Sequence, residues 1–402
     1  MLSRPHLFAL NRSLSTQIPA FVAVRTVINT AIRMVYPFLP VFGRGLGVDL
    51  PRLSLALTLR SASGVFSPFL GSVADSRGRK AGMLFGLGLF TIGMTVMALW
   101  PGYLSFVAAL ILSLAGNFVF APAMQAYLGD RVPYQRRGLM LALTELGWSL
   151  SFIACVPLVG WLIDRRGWQA PFPVLAVLGG LSILVLSIVL PRDQAPDGNK
   201  PGLGSNLRRV FTYVPALAGL AMSMLLSGSN ELVNLIFGVW LEDAFHVQIA
   251  TLAAASAIIG FSELGGEGLV SALTDRLGKP RAVSVGFILN ALVVLALPFL
   301  GRDLVGALVG LAGLYITFEF TMVSSLPLMT EILPDARATL MSTFFASTAI
   351  GRGLGALLAP VLYHAGQAPG AAPSLLVIAL VAAALDLLGL VALGIIKKNL
   401  PS

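Results

Sequence analysis

Long apolar segments alternate with short polar clusters along the whole chain. The apolar segments run to about 20 residues, the length that an α-helix needs to cross a hydrocarbon layer of about 30 Å. Twelve of them can be delimited, at 20–43, 53–74, 81–100, 103–128, 139–163, 171–190, 213–241, 248–272, 282–300, 304–330, 339–363 and 373–396. The pattern predicts an all-α membrane protein with twelve transmembrane helices.

The composition supports a membrane protein and excludes a soluble one. Hydrophobic residues make up 56% of the chain and charged residues only 11%, whereas soluble globular domains contain about 25% charged residues. The 42 glycines and 24 prolines are compatible with membrane helices, because neighbouring helices satisfy the backbone groups that they free.

Lys and Arg are distributed unevenly between the two sides of the predicted membrane. If the N-terminus is cytoplasmic, most of the 27 basic residues fall in cytoplasmic segments, and the outer loops contain only Arg44, Arg52, Arg165, Arg166 and Arg302. The positive-inside rule then predicts that both termini are cytoplasmic. Loops that face an anionic leaflet explain the net charge of +9, so no nucleic-acid partner is expected.

One long polar connector divides the chain. Residues 191–212 are rich in Pro, Gly, Asp and Asn, a composition typical of a flexible linker. We therefore expect an N-terminal six-helix bundle (1–192), a cytoplasmic linker (193–212) and a C-terminal six-helix bundle (213–402). The sequence shows no metal-ligand cluster, nucleotide fingerprint or nucleophile–base pattern. No enzyme activity, metal or cofactor is expected, and the short linker favours a monomeric bacterial inner-membrane protein.

Two loop motifs occur twice in the chain. The first reads Gly71-x-x-x-Asp75-x-x-Gly78-Arg79-Lys80, and its copy, 200 residues later, retains Asp275, Gly278 and Lys279. The second reads Asp130-x-x-Pro-x-x-Arg136, and its copy, 201 residues later, reads Glu331-x-x-Pro-x-x-Arg337. Two independent motifs that repeat at nearly the same offset indicate two pseudo-symmetric halves, an arrangement typical of secondary transporters.

The twelve spans, the central linker and the first loop motif together resemble the major facilitator superfamily over essentially the whole chain. Ser76 stands where that family's loop has Arg. The resemblance implies a transporter that works by alternating access, with the loop as a gate. In that role Asp75 faces a helix N-terminus of the opposite half, Arg79 pairs with a nearby acid, and Gly78 permits a tight turn.

The resemblance also suggests which residues have gating and coupling roles. The fourth-helix Arg of proton-driven exporters is missing here, and the fifth-helix antiporter signature survives only as Pro157-x-x-Gly160. The expected gating residues lie in the repeated loops and at the end of the eighth span: Gly71, Asp75, Gly78, Arg79, Lys80, Asp130, Arg136, Glu263, Glu267, Asp275, Gly278, Lys279, Glu331 and Arg337.

Charged side chains inside the predicted spans are the candidates for a transport site. A charge at mid-bilayer costs about 2.5–3.5 kcal/mol on insertion scales, so it persists only where it is paired or faces water. Arg33, Glu231 and Glu319 fall near the middle of the first, seventh and tenth spans, which the resemblance places around a central cavity. The expected substrate or proton site comprises Arg33, Tyr36, Arg60, Asn117, Glu231, Asn234, Glu319 and Arg352.

Several of these charges also have structural explanations. We expect Arg25 to reach the lipid headgroups with its long side chain. Glu263 and Glu267, one helical turn apart, are expected to form a gate or an ion pair. Arg352 either belongs to the site or neutralises Glu319 on the adjacent helix.

Three functions are compatible with the sequence. The first is proton-coupled export of a small amphipathic or partly anionic organic molecule, because the N-terminal half places arginines and the C-terminal half places carboxylates in the membrane. The second is the flipping of a lysolipid or glycolipid. The third is a non-transporting receptor or scaffold that keeps the fold, which the repeated gating loops disfavour. Facilitated diffusion or uptake without proton coupling is the remaining alternative. The expected partners are the small-molecule or lipid substrate and the membrane lipids, and the expected energy source is the proton gradient.

Overall fold

The computed structural model describes residues 12–67, 78–132, 134–191, 203–333, 336–367 and 374–399. Their helices define spans 1 to 12 in chain order: Arg12–Arg33 with Leu39–Leu46, Leu50–Ala62 with the 3₁₀ turn Ser63–Phe66, Arg79–Leu99, Tyr103–Arg131, Tyr134–Leu150 with Val156–Arg166, Pro171–Val189, Val214–Phe245, Ile249–Leu277, Lys279–Leu300, Leu304–Ile332, Arg337–Ala365 and Leu376–Asn399. The predicted all-α architecture with twelve spans is confirmed.

Ten of the spans, 3 to 12, are long and apolar enough to cross a membrane by themselves within the described residues. Span 1 is divided and contains four arginines, Arg12, Arg25, Arg33 and Arg44, and span 2 is described only as far as Ser67. Large apolar side chains are exposed along the outside of the bundle, as helices that face lipid require.

Two spans are interrupted next to a proline. Span 1 breaks at Met34–Phe38, where Pro37 lacks the N–H that a continuous helix needs. Span 5 contains a π-helical turn at Ser151–Cys155, immediately before Pro157. There the Val156 N–H bonds to the carbonyl five residues earlier, which widens the helix. Both breaks lie beside the charged residues of the site.

The two halves repeat the same packing. In the first half, span 3 packs against spans 4 and 6, span 1 against spans 5 and 6, and span 2 against span 4. The second half has the equivalent contacts six spans later: span 9 with 10 and 12, span 7 with 11 and 12, and span 8 with 10. The duplication seen in the loop motifs is therefore also present in the helix packing.

A further helix, Leu203–Thr212, lies between the halves, within the segment that the composition predicts to be a flexible linker. It is amphipathic: Val210 is buried against the second half, whereas Arg208 and Arg209 are exposed. Most of the Pro, Gly and Asp residues that suggested flexibility precede this helix in the sequence.

Candidate transport site and the seam between the halves

The two halves meet along a seam formed by three helix pairs: spans 1 and 7, spans 2 and 11, and spans 5 and 8. Ser54 of span 2 donates a hydrogen bond to the Ala356 carbonyl of span 11, and one turn further along Thr58 approaches the Gly353 carbonyl at 3.3 Å. At the membrane edge Arg44 pairs with Glu242. These contacts all lie toward the end of the bundle opposite the chain termini, so the seam closes that end.

Each helix pair of the seam meets at a glycine. A Cβ atom on Gly64 would lie 2.4 Å from the Ala349 Cβ, and one on Gly160 would lie 2.9 Å from the Ala253 Cβ. A Cβ atom on Gly238 would lie 2.6 Å from the Pro37 carbonyl oxygen. Because real Cβ atoms do not approach this closely, the closed seam depends on glycine at these positions.

We expect Gly64→Ala to disfavour the closed seam, since its methyl group would overlap the Ala349 side chain. The variant should be more accessible from the sealed side to a membrane-impermeant thiol reagent directed at a cysteine placed in the seam. Gly88→Ala is the matched control, because a Cβ there meets nothing within 4 Å. Equal accessibility of the two variants would contradict the close approach of spans 2 and 11.

An ion pair between the halves lies at the inner end of the seam. Arg33 of span 1 donates to both oxygens of Glu263 of span 8 at 2.6 Å, and both side chains are buried. The guanidinium also donates to the Trp148 carbonyl at 2.9 Å and stacks over the Trp148 and Phe152 rings of span 5 at 4.2 and 3.5 Å. Phe152 belongs to the π-helical turn Ser151–Cys155, so this turn takes part in the contact.

A second network joins the halves around Glu231. The Tyr36 hydroxyl donates to Glu231 Oε1 at 2.9 Å and accepts a bond from Arg60, which also donates to the Ile32 carbonyl at 3.0 Å. Arg352 of span 11 donates to Glu231 Oε2 at 3.1 Å. Sequence reasoning left open a pairing of Arg352 with Glu319, and the structure pairs it with Glu231 instead.

Asn234 extends this network toward span 10. Its amide donates to Glu231 Oε2 at 3.2 Å, and its oxygen accepts a bond from the Tyr315 hydroxyl. Glu231 thus receives bonds from three side chains and is completely buried. An ionised carboxylate is well satisfied in such surroundings.

Glu319 differs from Glu231 and Glu263 in its contacts. It is only partly buried, and it forms no hydrogen bond or ion pair within the described part of the chain. It packs at Gly266 of span 8, where an added Cβ would lie 2.8 Å from the Glu319 Cβ, and it is within electrostatic reach of Glu263 and Glu267. Three carboxylates are therefore grouped near Arg33, and Arg352 is also within electrostatic reach of Glu263 and Glu319.

Other expectations for charged and polar side chains have mixed outcomes. Arg25 is buried and does not lie at the headgroups. It pairs with Glu145 of span 5 in a bidentate contact, so a carboxylate on the adjacent helix compensates its charge inside the bundle. Asn117 of span 4 has a buried amide oxygen without a partner in the described residues. Trp148, Phe152 and Tyr315 contribute to the site but carry no charge or motif that would have revealed them in the sequence.

The repeated loop motifs meet each other within each half. Arg79 pairs with Asp130 at 3.3 Å, and the equivalent residues of the second half, Lys279 and Glu331, also form a pair. The glycines before these basic residues, Gly78 and Gly278, have φ angles of 101° and 80°, which residues with a side chain rarely adopt.

The other gating candidates are less connected. Arg337 donates to the Thr330 carbonyl at 2.9 Å, and Asp275 is exposed at the end of span 8. Lys80 donates to the Ser187 and Leu190 carbonyls at 2.7 Å. Gly71 and Asp75 lie outside the described residues, as does the side chain of Arg136.

Two six-helix halves around buried charges, joined at one end by a seam, define a multi-pass membrane transporter. The family model of the Major Facilitator Superfamily matches residues 22–323, and the chain belongs to this family.

Similar proteins are bacterial transporters. The chain is 26% identical to the Inner membrane transport protein YdhP of Escherichia coli O157:H7, over 82% of this chain and 84% of that protein. It is 27% identical to the Multidrug resistance protein MdtG of Serratia proteamaculans, over 67% of this chain and 68% of that protein. Its fold resembles that of a bacterial homologue of the human lysosomal transporter Spinster in an inward-facing, unoccupied conformation, with a TM-score of 0.71, 15% identity and coverage of 97% and 96%.

Proposed function

We propose that this chain exports a small amphipathic organic molecule in exchange for protons, by alternating access. The observation that carries the proposal is the arrangement of buried charges at the seam. Two networks, Arg33 with Glu263 and Tyr36 with Glu231, each use partners from both halves. Opening the seam must break both networks, so the state of these charges controls which side of the membrane the site faces.

The direction of the proposed cycle depends on the orientation of the chain. We propose a bacterial inner-membrane location with both termini cytoplasmic, as the distribution of basic residues favours. The sealed end is then periplasmic, and the described conformation is inward-facing. The relative MdtG, named a multidrug resistance protein, supports export as the direction of transport.

Glu319 is the proposed proton carrier. Glu231 receives three bonds and Glu263 is held by Arg33, whereas Glu319 has no hydrogen-bonded or ion-paired partner within the described residues. Glu263 and Glu267 lie in its electrostatic surroundings, together with Arg33 and Arg352. A proton can therefore bind Glu319 without displacing a bonded partner, and a substrate that occupies the same place excludes the proton.

The proposed substrate is amphipathic but has no required anionic group. The expectation of a partly anionic substrate depended on free arginines in the N-terminal half. Arg33 and Arg25 instead pair with carboxylates, and Arg60 is bonded to Tyr36. Apolar and aromatic side chains beside the carboxylates, including Phe152 and Tyr315, suit the apolar part of such a molecule.

The test is proton movement in proteoliposomes that contain a pH-sensitive dye. The panel comprises amphipathic cations, neutral compounds, organic anions and lysolipids. Addition of a transported compound should drive protons across the membrane in the direction opposite to that of the compound. Protein-free liposomes and an added proton ionophore provide the baselines. If compounds are transported at the same rate with the pH gradient collapsed, proton coupling is wrong. If only lysolipids move, the proposed substrate class is wrong.

A further inference from the structure

A buried polar cluster in the second half lies apart from the seam. Its centre is Asp386 of span 12, which is fully buried. Asn290 of span 9 donates to Asp386 Oδ2 at 2.8 Å, and Asn290 Oδ1 accepts a bond from Thr317 of span 10 at 2.9 Å. The cluster therefore connects three helices of the same half through uncharged donors.

The other carboxyl oxygen, Asp386 Oδ1, has no hydrogen-bond partner among the described residues. Ser229 of span 7 lies beside the carboxyl group, and its hydroxyl is also 3.0 Å from the Ala382 carbonyl, to which it can donate. While it donates to Ala382, its oxygen lone pairs remain available as acceptors. In that arrangement Oδ1 faces an acceptor.

Spans 7, 9 and 11 pack against span 12, and none of them brings a charge to Asp386. Span 9 contributes Asn290 and the Phe287 ring, and span 7 contributes Ser229. Arg352 of span 11 pairs with Glu231 instead, and span 10 reaches the cluster through Thr317. No Lys, Arg, His, Asp or Glu of the described residues acts on the carboxyl group. A bare carboxylate in such surroundings is strongly disfavoured.

We propose that Asp386 is a proton-binding site separate from the transport site. The proton resides on Oδ1 and is donated to Ser229 Oγ, while Oδ2 accepts the Asn290 bond. Each polar atom around the carboxyl group then has a partner and Ser229 keeps its bond to Ala382, whereas an ionised Oδ1 gains a partner only if the Ser229 hydroxyl turns away from Ala382. The protonated carboxyl group thereby joins span 12 to span 7 through a hydrogen bond. Span 7 also carries Glu231, two residues after Ser229.

The site makes the stability of the second half depend on pH. The unfolded chain releases this proton above about pH 4, whereas the folded protein keeps it to a higher pH, so the stabilisation is complete below about pH 4 and is lost as pH rises. While the folded protein still holds the proton, the unfolding constant of wild-type protein should rise about tenfold per pH unit for this one proton, and the dependence should end once Asp386 ionises in the folded protein.

The experiment compares thermal unfolding of the purified full-length protein in detergent between about pH 4 and pH 9, as wild type and as Asp386→Asn. The amide reproduces the neutral acid, because its oxygen can accept from Asn290 and its nitrogen can donate to Ser229. The variant should lose the part of the decline of stability with rising pH that this proton causes, and it should be at least as stable as wild type at the upper end of the range. Asp303→Asn, at an exposed helix cap whose aspartate accepts a bond from Gly306, is the matched control and should keep the wild-type decline.

Parallel pH profiles for wild type and Asp386→Asn over the whole range would overturn the proposal, as would a variant that is destabilised equally at every pH. Asp386→Asn should still couple substrate and proton movement in proteoliposomes, since the cluster lies outside the seam. A failure of the proposed function at Glu319 would therefore leave this test intact, and the reverse also holds.

Discussion

Glu319→Gln is expected to abolish substrate-driven proton movement in proteoliposomes while leaving exchange of labelled substrate across the membrane at equal pH. Glutamine keeps the size and the hydrogen-bonding oxygen of the side chain but cannot carry an exchangeable proton. It also removes one of three carboxylates grouped near Arg33, so the halves should still move around the bound substrate. The measurement is dye-reported proton flux beside counterflow of the substrate.

Two controls make this result specific. Glu319→Asp keeps a carboxyl group and should retain proton coupling at a lower rate, because the shorter side chain moves the carboxyl group away from its original position. Asp164→Asn removes an exposed carboxylate near the sealed end and should behave as wild type. Undiminished proton flux in Glu319→Gln would assign the proton to another group and would sink the proposed role of Glu319.

Glu263→Gln is expected to open the seam. The substitution leaves the Arg33 guanidinium buried without its ionic partner, and loss of one member of a buried pair costs roughly 3–5 kcal/mol. Because the cost falls on the closed seam, the equilibrium should shift toward the open state by at least about 100-fold. The measurement is the rate at which a membrane-impermeant thiol reagent modifies a cysteine at Ser61, which lies beside Gly353 in the seam, in a Cys155→Ser background.

The double variant Arg33→Gln with Glu263→Gln provides the control. With both charges removed, no unpaired ion remains in the closed seam, and the modification rate should return toward that of the parent protein. A double variant as accessible as the single one would show that Glu263→Gln acts through misfolding or loss of packing rather than through the stranded arginine.

The architecture could be predicted from the sequence because membrane spans and internal repeats are local or periodic signals. Apolar length located the twelve spans, and the loop motifs around Asp75 and Asp275 revealed the two halves. The breaks in spans 1 and 5 could not be predicted in the same way. Pro37 and Pro157 each remove a backbone donor, but other prolines do so inside continuous helices: Pro19, Pro122, Pro298, Pro327 and Pro360.

The pairing of the charges could not be predicted, because it depends on which helix faces which. Arg33 and Glu263 are 230 residues apart, and nothing in the sequence indicates that spans 1 and 8 present these side chains to each other. The same limit explains why Arg25 was assigned to the headgroups and why Arg352 was considered a partner for Glu319. The depth of a charge follows from the sequence, but its partner follows only from the packing.

The central claim is that the seam must open during transport, and it is tested most directly by cross-linking the two halves across the seam. In a Cys155→Ser background, cysteines at Ser54 and Ala356, which are hydrogen-bonded across the seam, would be joined by a short thiol-specific cross-linker. Cysteines at Ser223 and Ser347, whose hydroxyl oxygens are 2.6 Å apart within one half, give a matched pair that should not move. We predict that the first cross-link stops transport reversibly and that the second leaves it unchanged; full transport with the first pair quantitatively cross-linked would contradict the account.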